Sequence, residues 1–258
     1  MNGVSDAVPK VALVTGGAKR IGRTLALALA RDGWSVAVHH NRSAEAAASV
    51  AAEIRDLGRQ AVILQADLSD ETEVAGLVPA AVEALGPLGC LINNASVFEN
   101  DGIATADRAS WDAHLNTNLR APFVLIQEFA RQLPETAEGV VLNLLDQRVW
   151  NLTPFFMSYT VSKAGLWTLT QTLALALAPR IRVNAIGPGP TLPSIHQTDE
   201  QFARQCAAMP LQRGTTPDEI ADALRFILGA RAMTGQMIAL DGGQHLGWAQ
   251  PGTGTSID

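Results

Sequence analysis

The chain has 258 residues, 47% of them hydrophobic and 17% charged, which suits one large α/β domain and excludes disorder for its bulk. A formal charge of −6 without basic runs excludes a grip on nucleic acid through its phosphates. Two distant cysteines, Cys90 and Cys206, exclude a disulfide framework or a cysteine-rich zinc site and read as a reduced pair.

Residues 1–10 lack the basic and then apolar pattern of a secretory leader. An apolar run at 11–14 reads as a buried strand that stops at Thr15-Gly16-Gly17, and an Ala/Leu-rich helix follows at 21–31. A strand at 35–39 leads to a helix at 43–57, then a strand at 61–66 to a helix at 69–85. The strand at 88–92 ends at Asn93-Asn94, and one long helix covers 110–133. Beyond it come a strand at 140–145, a helix at 159–178, a strand at 181–186, a helix at 217–228 and a last strand at 236–240.

Apolar strands without alternation, separated by helices, specify a doubly wound, seven-stranded parallel sheet with helices on both faces. No linker or repeat interrupts the series, so a single domain spanning 1–258 is expected, with loose ends at 1–8 and 250–258. The proline-rich stretch 187–216 is expected to cover the substrate site. The most apolar window, 164–179, falls short of the roughly 20 residues a bilayer requires, so a cytoplasmic chain without a membrane span is expected.

The glycine turn sits where a strand feeds a helix, so its backbone N–H groups and the helix dipole can cradle a pyrophosphate. Gly16, Lys19, Arg20 and Ile21 are its candidate cofactor contacts, although Arg20 stands where glycine is common. The second strand ends in His39-His40-Asn41-Arg42-Ser43, without the acid that would hold the 2′-hydroxyl of NAD. Arg20 and Arg42 can instead bind a 2′-phosphate, with Ser43 donating at a helix N-terminus, which favours NADP(H) over NAD(H); the alternative is a solvated basic loop. Asp67, beside Leu68, can accept from the adenine amino group or cap the next helix.

Tyr159 is the sole tyrosine, and Lys163 lies four residues on, on the same helix face. A cation near the phenol is expected to lower its pKa and make it a proton donor at neutral pH. No metal site is expected, since His39 and His40 are adjacent while His114, His196 and His245 are scattered.

Taken together these motifs resemble the short-chain dehydrogenase/reductase family over about residues 10–243. The likeness extends to Asn94-Ala95 after the fourth strand, Asn118, Gly187-Pro188-Gly189 and Asp241-Gly242-Gly243. It implies that Asn94 and Ala95 line the ribose on the adenine side and that Pro188, Gly189 and Thr191 approach the cofactor. Lys163 would hold the nicotinamide ribose, Tyr159 would give the proton, and Asn118 would place a water in a relay to Lys163. It also implies a homotetramer assembled through helical faces in 110–133 and 164–178.

One departure is informative. The family's usual serine, thirteen residues before the tyrosine, is replaced by Asp146. A carboxylate repels the lone pairs of a ketone and suits a ring N–H. With Arg20, the His40–Ser43 cluster and the Ser96 to Phe98 stretch, it makes the chain similar to the pteridine and dihydromonapterin reductases. That resemblance implies NADPH-driven hydride transfer to a C=N bond, with Tyr159 as acid helped by Asp146. Ser96 would touch cofactor and substrate, and Phe98 would stack the substrate ring. Two other readings stand beside it. One is a reductase of a ketone or 3-oxoacyl compound, for which Trp150, Phe155, Phe156 and Met157 offer apolar walls. The other is a nucleotide-binding scaffold without turnover.

Overall fold

Short apolar runs become the strands β1 (Val11–Val14), β2 (Ser35–His40), β3 (Ala61–Gln65), β4 (Cys90–Asn93), β5 (Gly139–Leu144), β6 (Ile181–Pro188) and β7 (Met237–Leu240). The computed structural model describes residues 4–194 and 197–247, so the expectations for 1–3, 250–258 and His196 lie outside the described residues. Every strand pairing is parallel, in the order β3-β2-β1-β4-β5-β6-β7. The order turns back between β1 and β4, and that switch opens a crevice at the carboxyl ends of the strands.

The strands carry apolar runs because both faces of the sheet are covered. Ala12 and Val14 of β1 face a core built with α1 (Arg20–Arg31), α2 (Ala44–Asp56) and a late helix over Pro217–Gly229. Leu13, between them, faces the opposite core, built with α3 (Glu71–Leu85) and a helix over Ala121–Gln132. Alternate side chains of one strand thus enter different layers.

Four features depart from the sequence reading. β4 begins two residues later, because Leu88 exchanges both backbone bonds with the Gln132 amide (3.0 Å each) and never joins the ladder. The long helix at 110–133 is broken into α4 (Arg108–Leu115), a π-helical turn over Asn116–Arg120, and α5 (Ala121–Gln132). Pro122 has no N–H to return to the Asn118 carbonyl, which accounts for the widened turn there. After α6 (Met157–Leu177), the stretch 187–216 holds α7 (Asp199–Ala207), whose capping box of Thr198 and Gln201 is a sequence signal. α8 (Pro217–Gly229) follows. Residues 4–8 are not loose: Val4 and Val8 pack on the core, and the Ala7 carbonyl accepts from Glu138 N–H at 3.0 Å. No helix among the described residues is long and apolar enough to cross a membrane.

Candidate active site

The glycine turn between β1 and α1 is built by close approach. A Cβ on Gly22 would lie 2.2 Å from the Gly16 carbonyl oxygen and 2.6 Å from Asn94 Nδ2, so only glycine fits. Gly16 itself is left-handed (φ +61°). Asn94 braces the turn, its N–H donating to Thr15 Oγ1 at 2.9 Å and its side-chain amide to the Thr15 carbonyl at 2.8 Å. His39 braces it from the other side. Its Nε2 lies 3.1 Å from the Ala66 carbonyl and its Nδ1 accepts from Gly16 N–H at 3.1 Å, which requires the neutral ring. Burial holds its pKa below the usual value, against the bond the ring donates to the Ala66 carbonyl. Arg20 takes φ +51°, which explains why glycine is common at its place.

At the far end of β2, Asn41 and Arg42 gather around Asp67, whose carboxyl is held below the usual range first by bonds from Ser69 and then by these two neighbours. Of the two readings of Asp67 the helix cap falls away: Asp70 caps α3, accepting from Thr72 N–H and Glu73 N–H. Ser43 is the N-cap of α2, yet its hydroxyl makes no capping bond. His40 Nδ1 is buried without a partner among the described residues. The expected pairing of Arg20 with Arg42 is corrected. Arg20 turns toward the 187–216 stretch, donating to the Leu192 carbonyl at 3.3 Å, and lines the same cavity as Tyr159.

That cavity, of about 560 Å³, brings together Arg20, Ile21, Asn94, Ser96, Phe98, Asp146, Tyr159, Lys163, Pro188, Gly189 and Thr191. Gly16, Lys19, His40, Asn41, Arg42, Ser43, Asp67, Leu68, Ala95 and Asn118 lie outside its lining. The phenol of Tyr159 donates to Asp146 Oδ2 at 3.0 Å, while Asp146 Oδ1 accepts from Arg148 N–H at 2.8 Å. Lys163 donates from Nζ to the Leu144 carbonyl at 2.8 Å and stands 5.7 Å from the centre of the Tyr159 ring.

The electrostatics reverse one expectation. Burial, and next the charge of Asp146, push the phenol well above its ordinary pKa, with Arg148 opposing. Burial also brings the neighbouring Lys163 ammonium down to about 8, with the charge of Asp146 opposing. Asn118 lies in the π-helical turn, outside the cavity lining. Its side chain is spent on structure, accepting from Val97 N–H at 2.8 Å and donating to the Val97 carbonyl at 2.9 Å and Ser162 Oγ at 3.1 Å. Thr191 Oγ1 turns back on the Gly189 carbonyl at 3.0 Å.

Sequence reasoning missed Arg148, whose guanidinium lies 5.4 Å from the Phe98 ring centre, 4.9 Å from that of Phe156 and 3.6 Å from Asp146 Oδ2. It also missed how Phe156 stacks on Phe98, with centroids 4.4 Å apart and planes 5° from parallel. Tyr159 meets the edge of Phe98 at 4.8 Å. Of the four residues proposed as apolar walls, only Phe156 lines the cavity. The charged position beside Asp146 was the one available signal for Arg148; nothing local marks the stack.

Comparison with known proteins places this geometry. The family model described as short chain dehydrogenase matches residues 10–203. A crystal structure of the Brucella suis FolM alternative dihydrofolate reductase 1 in complex with NADP is 49% identical, covering 96% of this chain and 99% of that one, with a TM-score of 0.91. The Brucella canis FolM alternative dihydrofolate reductase 1 with NADP is 48% identical over 96% of this chain and all of that one, with a TM-score of 0.92. The 3-oxoacyl-[acyl-carrier-protein] reductase FabG of Staphylococcus aureus is 33% identical over 242 residues, which is 92% of this chain and 98% of its own length.

Proposed function

The chain belongs to the short-chain dehydrogenase family, and from that premise we propose that it is an NADPH-dependent oxidoreductase of a pterin-type C=N bond, as in a dihydropterin or dihydrofolate. The observation that carries the reading is the Asp146 carboxyl, 3.0 Å from the Tyr159 phenol in a cavity walled by Phe98. A carboxylate there accepts a ring N–H and repels the lone pairs of a ketone.

The residues present fit the cofactor. The turn closed around Gly22 and Gly16 exposes N–H groups at the start of α1, where a pyrophosphate binds, with Lys19 and Ile21 beside it. The buried, unpartnered His40 Nδ1 and the uncommitted Ser43 hydroxyl stand with Asn41 and Arg42 where a 2′-phosphate would lie. Asp67 and Leu68 would hold the adenine, Asn94 and Ala95 its ribose, and Lys163 the nicotinamide ribose, with Pro188, Gly189 and Thr191 closing over the cofactor. When bound, NADPH supplies the hydride.

The protein supplies the proton and the orientation. Its raised pKa keeps Tyr159 protonated across neutral pH, so the phenol is a donor rather than a phenolate. Asp146 holds the phenol in place and takes up the ring N–H of the substrate. Lys163, titrating near 8, is the next proton source inward. Phe98 and Ser96 would contact the flat ring.

A second reading, reduction of a 3-oxoacyl or ketone substrate, is favoured by the identity to the Staphylococcus aureus reductase, and Asp146 counts against it. Following NADPH oxidation with a dihydropterin, dihydrofolate and simple ketones separates the two, and turnover is expected with the first two only. Bound NADPH with no turnover on any of them would leave a scaffold. Tyr159→Phe is expected to abolish most turnover while NADPH still binds; a wild-type rate in that variant removes the phenol from the mechanism. Exposed Trp111 on α4 with Val161 and Leu175 on α6 suits burial against further copies in a homotetramer, which sedimentation would test. The free Cys90 and Cys206 suit a reducing cytoplasm.

A further inference from the structure

Helix α6, which carries Tyr159, begins without a cap of its own. Phe156 stands at its N-cap in the left-handed region (φ 54°, ψ 48°) and has no side-chain acceptor to offer. The first amides are met from elsewhere in the chain. Phe156 N–H donates to Asn100 Oδ1 at 3.3 Å, Met157 N–H to the Asp101 carbonyl at 3.2 Å, and Ser158 N–H to Asp101 Oδ1 at 3.0 Å. Asn100 and Asp101 lie on the loop that carries Phe98. The loop bearing the aromatic wall is therefore the cap of the helix bearing the phenol.

A buried network tightens that cap. Asp101 Oδ2 accepts from Ser158 Oγ at 2.5 Å and from Ser110 Oγ of α4 at 3.1 Å. His114 Nε2 accepts from Glu99 N–H at 3.1 Å, which puts the ring proton on Nδ1, 2.7 Å from Ser158 Oγ. Ser158 and His114 are 0% exposed and Asp101 is 4% exposed. Burial raises the Asp101 pKa, but the bonds from Ser158 and Ser110 outweigh it and hold the carboxyl below its usual range. A buried carboxylate costs stability unless its oxygens are satisfied; here both are, and a satisfied network of this kind is rigid. The His114 ring also packs edge-on to Tyr159, with centroids 6.0 Å apart.

We infer that Asp101 is a positioning residue: by capping α6 from the Phe98 loop, with Ser158 and His114 completing the clamp, it fixes the Tyr159 phenol relative to the substrate slot. The effect on turnover rests on the reading of Tyr159 as proton donor; the effect on the ring's position does not. Because the chain has one tyrosine, labelling with 3-fluorotyrosine gives a single fluorine resonance at that ring. Well below its Tm, Asp101→Ala is expected to split or broaden that resonance and to lower kcat about tenfold, with the KM for NADPH changed less than about twofold. Asp101→Asn keeps an oxygen for the Ser158 amide and should restore one resonance and most of the rate. Asp70→Ala, which removes the cap of α3, controls for lost stability and should leave both readouts unchanged. An unchanged resonance in Asp101→Ala overturns the inference, as does a changed one with turnover within about twofold of wild type. Should that variant not fold, Ser158→Ala takes its place, and the same changes in resonance and rate support or overturn the inference. Full activity of Tyr159→Phe would bring down the donor reading instead, and the resonance would still decide whether Asp101 fixes the ring.

Discussion

Replacing Asp146 by Asn tests the substrate reading at the atom that carries it. The amide keeps the shape of the carboxyl, and its oxygen can still accept from Arg148 N–H, now 2.8 Å from Oδ1. The NH₂ group then faces the phenol where Oδ2 accepted at 3.0 Å, so neither the phenol nor a substrate ring N–H finds its acceptor. A hydrogen bond to a charged group contributes about 1.5–3 kcal/mol, so kcat/KM for a dihydropterin should fall roughly 10- to 160-fold. A ketone feels the opposite change, because the charge that repelled its lone pairs is gone, and its kcat/KM should hold or rise. The pH profile gives an independent check. The Asp146 charge, second to burial, holds the phenol up, so its removal should shift the alkaline limb of kcat to lower pH. The assay is loss of dihydronicotinamide absorbance for both substrate classes across pH. A dihydropterin kcat/KM within about twofold of wild type would refute the reasoning, and equal losses for both substrates would reduce Asp146 to a structural role.

Arg42→Asp should lower NADPH affinity about 10- to 160-fold and set a second carboxylate beside Asp67; fluorescence titration with NADPH and NADH checks it, and an unchanged preference counts against the 2′-phosphate assignment. Gly22→Ala places a methyl 2.2 Å from the Gly16 carbonyl and should abolish saturable NADPH binding in a protein that still folds by circular dichroism. His39 links the glycine turn to pH. Its folded pKa is below 6.5, so the unfolded chain takes up the proton first as pH falls. The stability it contributes is present above about 6.5 and is lost as pH drops toward the folded value. Thermal melts from neutral to acid pH should show that slope, and His39→Gln, which stays neutral, should flatten it.

The sheet was legible because its information is local. Each of β1, β2 and β3 is an apolar run closed by a turn signal, and parallel strands covered on both faces leave no other pattern. Thr15 to Gly22 and the spacing of Tyr159 and Lys163 were legible for the same reason: turn geometry and helical period are properties of a few adjacent residues. Leu88 shows the limit, since its apolar side chain belongs to the strand pattern while its backbone is taken by Gln132, 44 residues away. The paired arginines fail likewise, because the left-handed backbone of Arg20 aims its side chain at Leu192 and no composition rule states that direction.

The phenol exposes a deeper reason for what was hidden. Helical spacing correctly put Lys163 on the face of Tyr159, but spacing measures distance and says nothing of desolvation, and here desolvation decides the sign. The phenol is packed by residues remote in sequence: Phe98 from the β4 loop and His114 from α4, with Arg148 from the turn after β5 lying over Phe98. A buried phenol beside a carboxylate resists ionisation, and a buried ammonium tends to give up its proton. The phenol therefore keeps its proton through neutral pH while the ammonium beside it releases one more readily, an order that exists only once those distant segments have closed over the helix.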